Sequence, residues 1–343
     1  MPKRSPEQDN LPNPTNTGIF GLTCSEEDAQ FIIIPIPWDV TVSYRDGTSK
    51  GPEAVIKASP QLDLFNQPMI GTDINIVYSL PINPTWESEN TRLRAISKRL
   101  ITKMENGEVF TPQDNRDLDD VNAGCQKLHQ EVEATAANYI AQGKIVGLLG
   151  GDHSTSLGNI QATAKHYPGM GLIQIDAHMD LRKCFERFPY SHASIIYNSV
   201  PNENIAKIVQ VGIRDYCEFE YDQMAQSNGK VKTFFDLDIK ERQFKGDTWH
   251  NICHSIIDTL PHHVYITFDI DGLTPAECPD TGTPVPGGFT FAEAAYLLQQ
   301  IKKSGRKVVG FDLVEVAPSQ NEINVINGAR VLYELVKASL SPK

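Results

Sequence analysis

Cysteine is scarce and scattered. Six thiols (Cys24, Cys125, Cys184, Cys217, Cys253 and Cys278) are spread over 343 residues, with no CxxC pair among them. That argues against a disulfide framework and reads as reduced thiols in a cytoplasmic protein. Long apolar runs are also missing. The longest near the front, Phe31 to Trp38, contains two prolines and is far short of the roughly 20 residues a spanning helix needs, so no membrane role is expected. No apolar stretch follows the basic start MPKRSPEQDN, so no secretory signal is expected either. Cationic side chains are in deficit, with Lys+Arg 31 against Asp+Glu 43 and a net charge of −12. An acidic balance argues against nucleic acid as the main partner and is compatible with a cationic ligand.

What remains is an ordinary globular composition, 40% hydrophobic and 22% charged. A chain of this length buries roughly three-quarters of its unfolded surface, enough for one large core. Residues 1–28, rich in Pro, Asn, Thr and acids, read as an extension, and residues 29–343 as a single domain. Strands are predicted at Phe31–Ile36, Ile74–Ser79, Ile145–Leu149, Gly171–Ile175, Ile208–Gly212, Val231–Phe235, Val264–Phe268 and Lys307–Asp312. Most are apolar throughout, as strands covered on both faces should be. Between them, Leu128, Val132, Ala136 and Ile140 recur at helical spacing, and Thr290 with Glu293 makes a capping-box pattern ahead of Ala294–Ile301. Asn327–Leu340 reads as a closing helix, and only Thr91–Met104 is read as helical within the polar stretch 83–122. The alternation predicts an α/β fold of three layers, α/β/α, with a mostly parallel central sheet.

Four predicted strands run straight into polar clusters: Gly150-Gly151-Asp152-His153-Ser154, Asp176-Ala177-His178-Met179-Asp180, Asp269-Ile270-Asp271 and Asp312-Leu313-Val314-Glu315. In a parallel sheet all four lie at the carboxyl edge, where open α/β sheets bind ligands. Side chains alternate along an extended chain, so Asp176, His178 and Asp180 point one way, as do Asp269 and Asp271. Carboxylates this close repel one another unless a cation neutralises them. With His153 the set holds more ligands than one tetrahedral zinc takes. It suits two metal ions sharing carboxylates, and its oxygen-rich character favours Mn²⁺ over Zn²⁺. A lone DxD or GGDH is often only a turn or a cap; the conjunction of motifs at strand ends makes a purely structural account a poor one.

GGDHS, DAHMD and TFDID followed by GTPVPGG resemble the signature set of the ureohydrolases, the arginase–agmatinase–formiminoglutamase family. The resemblance extends upstream to Ser43-Tyr44-Arg45, Gly47 and Gly51-Pro52. Downstream it takes in FDLVEVAP and the NGARVLYEL helix, so it covers residues 31 to 340. It implies the arginase fold and two Mn²⁺ ions per subunit, with another divalent ion such as Ni²⁺ as an alternative. His153 and Asp180 would serve the first metal, His178 and Asp271 the second, and Asp176 and Asp269 would bridge or contact both. It further implies His192, in Tyr190-Ser191-His192-Ala193-Ser194, as the proton shuttle, Glu315 as partner of a guanidinium group, Asp271 as a stabiliser of the tetrahedral intermediate, and a homotrimer or homohexamer. Thr274-Pro275 and Asp280 depart from the family pattern, at positions that are not metal ligands.

The implied reaction is hydrolysis of a guanidinium C–N bond to release urea. The stretch Leu181–Tyr190 lacks the Thr/Ser/Asn-rich grip that arginases offer the amino-acid head, so agmatine is the preferred small cationic substrate and arginine is disfavoured. Arg182, Lys183 and Arg187 read foremost as solvated loop charges. If they instead bind substrate, as Arg182 is placed to do, guanidino acids and formiminoglutamate come into range, and free guanidine does if Phe185, Phe188 or Tyr190 narrows the pocket. Two rivals are a single-zinc deacetylase on the same fold and an inactive family member acting as a binding partner. The first needs adjacent histidines near the site, but His262-His263 precede a strand at its opposite end. The second sits poorly with a complete ligand set plus His192 and Glu315.

Overall fold

The computed structural model describes residues 18–64 and 74–340. Eight strands form one sheet: β1 (Phe31–Ile36), β2 (Val77–Ser79), β3 (Ile145–Gly150), β4 (Met170–Ile175), β5 (Ile205–Ile213), β6 (Val231–Phe235), β7 (His263–Asp269) and β8 (Lys307–Val314). Their order is β2-β1-β3-β8-β7-β4-β5-β6, and every pairing is parallel. β3 and β4 follow one another in the chain, yet β8 and β7 lie between them. The chain therefore departs in opposite directions from the middle of the sheet, leaving a crevice at the carboxyl ends of β3, β8, β7 and β4.

Helices cover both faces: α1 (Gly51–Ala58), α2 (Pro84–Glu105), α3 (Pro112–Ala141), α4 (Leu157–His166), α5 (Ile195–Ser199), α6 (Glu218–Gln226), α7 (Asp236–Phe244), α8 (Trp249–Ile257), α9 (Phe291–Lys303) and α10 (Ile323–Ser339). Alternation along β1 shows how the layers form. Ile32, Ile34 and Ile36 share a core with Leu93 and Leu100 of α2 and Leu128 and Val132 of α3. Phe31 and Ile33 share the opposite core with Val55 of α1 and Leu332 and Val336 of α10. This is the expected three-layer α/β/α architecture. Among the described residues no helix is long and apolar enough to cross a membrane.

The polar stretch 83–122 is more regular than its composition suggests. α2 begins at Pro84, where the Asn83 side chain accepts the Thr85 N–H at 2.9 Å, and α3 begins at Pro112 behind a Thr111–Asp114 capping box. Both are long helices covered on one face only, so their apolar content is a narrow stripe. The expected strand Ile74–Ser79 is shorter, with only Val77–Ser79 paired to β1. Part of the stretch read as an extension belongs to the core. Ile19, Phe20 and Leu22 are buried, and the Phe20 ring meets Tyr333 edge-on at 5.5 Å. Four residues, Ile19 to Leu22, are enough to anchor it, and polar neighbours mask them in a composition average. Residues 1–17 lie outside the described residues.

Candidate active site

β3 ends at Gly150, and a Cβ on the next residue, Gly151, would lie 1.8 Å from the Trp38 carbonyl oxygen, so the chain passes there only as glycine. Asp152 then caps the following turn, its Oδ1 accepting the Ser154 N–H at 3.0 Å. That turn sets His153 at the sheet edge. Its Nε2 lies 2.8 Å from Thr267 Oγ1, and the Thr267 hydroxyl donates to Asp312 Oδ1 at 2.7 Å. This relay holds the ring proton on Nε2 and leaves Nδ1 as the open ligand atom. Nδ1 faces Asp180 Oδ2 at 2.9 Å, Asp176 Oδ2 at 3.1 Å and Asp269 Oδ2 at 3.4 Å.

A second cluster adjoins the first. His178 Nδ1 lies 3.1 Å from Asp271 Oδ2 and 3.6 Å from Asp176 Oδ1, so Asp176 belongs to both clusters through different oxygens. Backbone amides aim these carboxylates. Asp269 Oδ1 accepts the Asp271 N–H at 2.9 Å, Asp271 Oδ1 the Ala177 N–H at 3.0 Å, and Asp176 Oδ1 the His178 N–H at 2.6 Å. Asp269 thus stands on the His153 side, with its other oxygen engaged by backbone. Asp180 departs from the extended backbone the alternation argument assumed: it has φ +51°, and its carboxylate still reaches His153.

Polar residues inside the strands complete the support. Gln174 of β4 donates to Asp176 Oδ2 at 2.7 Å, and Gln210 of β5 donates to Gln174 Oε1 at 2.7 Å. Sequence reasoning passed over Gln174, Gln210 and Thr267. The available signal was a polar side chain interrupting an otherwise apolar buried strand.

The electrostatics are those of a cation site. Burial opposes charge on His153, but Asp176, Asp180 and Asp269 outweigh it and raise the imidazole well above its usual range. Burial likewise opposes charge on His178, and Asp271 with Asp176 raises it. Burial together with the Asp176 charge pushes Asp180 up to about 7, and burial with Asp271 and Asp176 raises Asp269 far above the carboxylate range. Three carboxylates and two imidazoles gather around two adjoining points, with Asp180 beside the first through its 2.9 Å contact with His153, and the set fits two divalent cations. His153 Nδ1, buried against three carboxylates within 3.4 Å but with no well-aligned hydrogen bond among the described residues, is the ring atom such an ion would take.

The remaining expected residues line the same cavity, about 170 Å³ in volume, together with His153, His178, Asp180 and Asp269. Glu315, with φ +63°, accepts the His153 N–H through Oε1 at 2.9 Å, while its buried Oε2 has no hydrogen-bond partner among the described residues. Burial and the Asp269 and Asp152 charges raise its carboxyl well above the usual range. A Cβ on Gly282 would lie 3.2 Å from that free oxygen, so the glycine keeps the space open. His192 follows the Ser191 cap, and burial, with cationic His178 nearby, pushes its imidazole down to about 3.

Arg182 is not a free loop charge. Its guanidinium sits 4.8 Å over the Phe185 ring, its Nε lies 3.6 Å from Glu220 Oε2, and Phe185 meets His192 edge-on at 5.9 Å. Arg187 instead stacks on Phe110 at 4.7 Å. Asp215, Tyr216 and Glu220 also line the cavity, and no motif had pointed to them. Asp280 turns away from the centre and accepts the Ser319 hydroxyl at 2.6 Å. His263 opens β7 at the end opposite Asp269, which removes the histidine pair from the site.

A family model described as the arginase family matches residues 29–337. An agmatinase of Photorhabdus laumondii is 31% identical over 322 residues, covering 92% of this chain and 89% of the relative. An N(1)-aminopropylagmatine ureohydrolase of a Synechocystis species is 26% identical over 318 residues, covering 91% and 90%. The crystal structure of agmatine ureohydrolase of Thermoplasma volcanium superposes with a TM-score of 0.70 at 23% identity, covering 92% of this chain and 91% of that one. The parallel sheet, the paired clusters at its carboxyl edge and a family model spanning residues 29–337 agree: this chain is a member of the arginase family.

Proposed function

We propose that this chain is a hydrolase that cleaves the guanidinium C–N bond of agmatine, releasing urea and putrescine, with two Mn²⁺ ions as its cofactors. The observation that carries the reading is the pair of clusters sharing Asp176, set in one cavity with His192 and the unpartnered oxygen of Glu315. Four carboxylates and two imidazoles would hold the cations: His153, Asp176, Asp180 and Asp269 on one side, and Asp176, His178 and Asp271 on the other. When bound, two such ions supply the positive charge that makes water acidic near neutral pH and steadies the tetrahedral carbon.

The chain's own groups do the rest. Glu315 Oε2 accepts N–H donors of the planar guanidinium and fixes its orientation. Asp271 steadies the tetrahedral intermediate. His192 takes up the proton released as water attacks and passes it to the departing amine. The C–N bond to the diamine breaks, and water supplies the oxygen of urea.

Agmatine is favoured over a guanidino acid by the state of Arg182. Its guanidinium lies over Phe185 and its charge is already faced by Glu220 at 3.6 Å, while exposed Asp215 adds negative charge beside the cavity. Two relatives that act on agmatine or its aminopropyl derivative by name support the same choice. The reading carries with it a role in polyamine biosynthesis, a cytoplasmic setting and, as the family resemblance implies, a homotrimer or homohexamer. Urea release from agmatine tests the reading, with protein preloaded with Mn²⁺ against chelated protein, and Ni²⁺-loaded protein as a third arm. Turnover is expected with Mn²⁺ and not after chelation. A protein that binds two cations and releases no urea would rule out agmatine and return guanidino acids, formiminoglutamate and free guanidine to contention.

A further inference from the structure

Arg214 follows β5 and lies outside every motif used so far. Its side chain is aimed inward at main-chain oxygens. Nη2 donates to Asp271 O at 2.6 Å, to Leu273 O at 3.2 Å and to Val285 O at 3.1 Å. Nε donates to Val285 O at 3.2 Å, and Nη1 to Gly212 O at 3.1 Å. The Arg214 backbone N–H donates to Ala177 O at 2.8 Å. Ala177 sits between Asp176 and His178, and its own N–H donates to Asp271 Oδ1 at 3.0 Å. One residue therefore ties together the two segments that supply Asp176, His178 and Asp271. No hydrogen bond of its side chain reaches the segments carrying His153 or Asp180.

The Gly-Gly at the end of GTPVPGG has a physical reason in the same place. A Cβ on Gly288 would lie 2.9 Å from Arg214 Nη2 and 2.8 Å from the Gly272 and Leu273 carbonyl oxygens. One on Gly287 would lie 3.0 Å from Arg214 Cδ. Both glycines have positive φ, +102° and +88°. That loop folds tightly enough to present the Val285 carbonyl only because neither residue carries a side chain. Only an arginine offers five N–H donors in a planar fork to carbonyls arrayed this way.

We infer that Arg214 is a positioning residue for the His178 half of the centre: it clamps the Asp271 turn against the Asp176–His178 segment and so sets the affinity of the second cation. The inference rests on the two-cation reading of the site. The test is a stepwise Mn²⁺ titration by calorimetry, with electron paramagnetic resonance following magnetic coupling between paired ions, on the full chain as wild type, Arg214→Met and Arg214→Lys. Arg214→Met should bind its first cation as the wild type does and its second about 10- to 100-fold more weakly, as loss of a supporting contact to a ligand typically gives. At two equivalents its spectrum should be that of isolated Mn²⁺, and excess Mn²⁺ should restore coupling. Arg214→Lys keeps the charge but has fewer donors in another geometry, so it should fall between the two. It also supplies the same readout should the methionine variant fail to fold. Unchanged second-site affinity in a folded variant, or equal weakening of both sites, overturns the inference while leaving the two-cation reading intact. A wild-type chain that binds one cation or none overturns both.

Discussion

The two halves of the centre share Asp176 and otherwise differ. His153 is sealed, its side chain 1% exposed, with three carboxylates within 3.4 Å and its far nitrogen fixed by the buried Thr267–Asp312 relay. His178 is 23% exposed, with two carboxylates within 3.6 Å, and its far nitrogen lies 3.9 Å from exposed Asp215. Enclosure removes water that would compete for the ligands, and a fixed tautomer orients the donor before any ion arrives. The difference teaches that two clusters sharing one carboxylate need not hold a cation equally. On the proposed two-cation reading, the sealed His153 half should hold its cation more tightly than the His178 half.

The change that should erase the difference altogether is Asp176→Asn, because the one carboxylate serves both clusters. Both cations should be lost and urea release should fall about a thousandfold or more, with elemental analysis checking the content. His192→Ala should slow turnover about a hundredfold or more while leaving two cations bound, since proton transfer and not cation binding is removed. Loss of cations in that variant would contradict the placement of His192. Thr267→Val attacks the sealed half alone. It should weaken the tighter site about 10- to 100-fold in a Mn²⁺ titration and so bring the two affinities together.

Acidity sharpens the comparison further. Without cations, His153 and His178 are held protonated above their usual range, and Asp180 is pushed up to about 7. A cation must displace those protons, so affinity should rise with pH through neutrality and fall below it. Titrating in buffers of different ionisation enthalpy measures the protons released, and a release of none would contradict the assignment. The smallest effect lies far from the centre. Lys103 and Arg99 hold the Asp114 carboxyl below its ordinary range. A lowered folded value means this contact stabilises above the ordinary carboxylate range and is lost as pH falls through it. Asp114→Asn should lower the melting temperature at pH 7 by a few degrees, and less as the pH drops below about 4.

Much of this was legible in the sequence because parallel strands buried on both faces are written as apolar runs, and the chemistry sits where those runs stop. β1, β3, β4 and β7 lie within a residue or two of their expected bounds; five of the six expected ligand positions gather in two clusters, Asp269 in one of them only, while Asp180 is tied in through His153. α2 and α3 were harder. Their buried stripe is narrow, and the start signals Asn83-Pro84 and Thr111-Pro112 with Asp114 carry more information than their hydrophobicity. The Ile19–Leu22 anchor was hidden by polar neighbours. Arg182, Arg214 and Glu220 could not be assigned from spacing at all, because each also needs a partner distant in the chain. Arg214, for instance, reaches Val285 across 71 positions.

The measurement that bears most directly on the centre is the initial rate of urea release from agmatine as Mn²⁺ is added to metal-free protein in fractions of an equivalent. The expected curve stays near the baseline through the first equivalent, which the His153 half retains, and climbs through the second. A rate that saturates at one equivalent, or that is full before any Mn²⁺ is added, would contradict a dinuclear centre of two unequal halves.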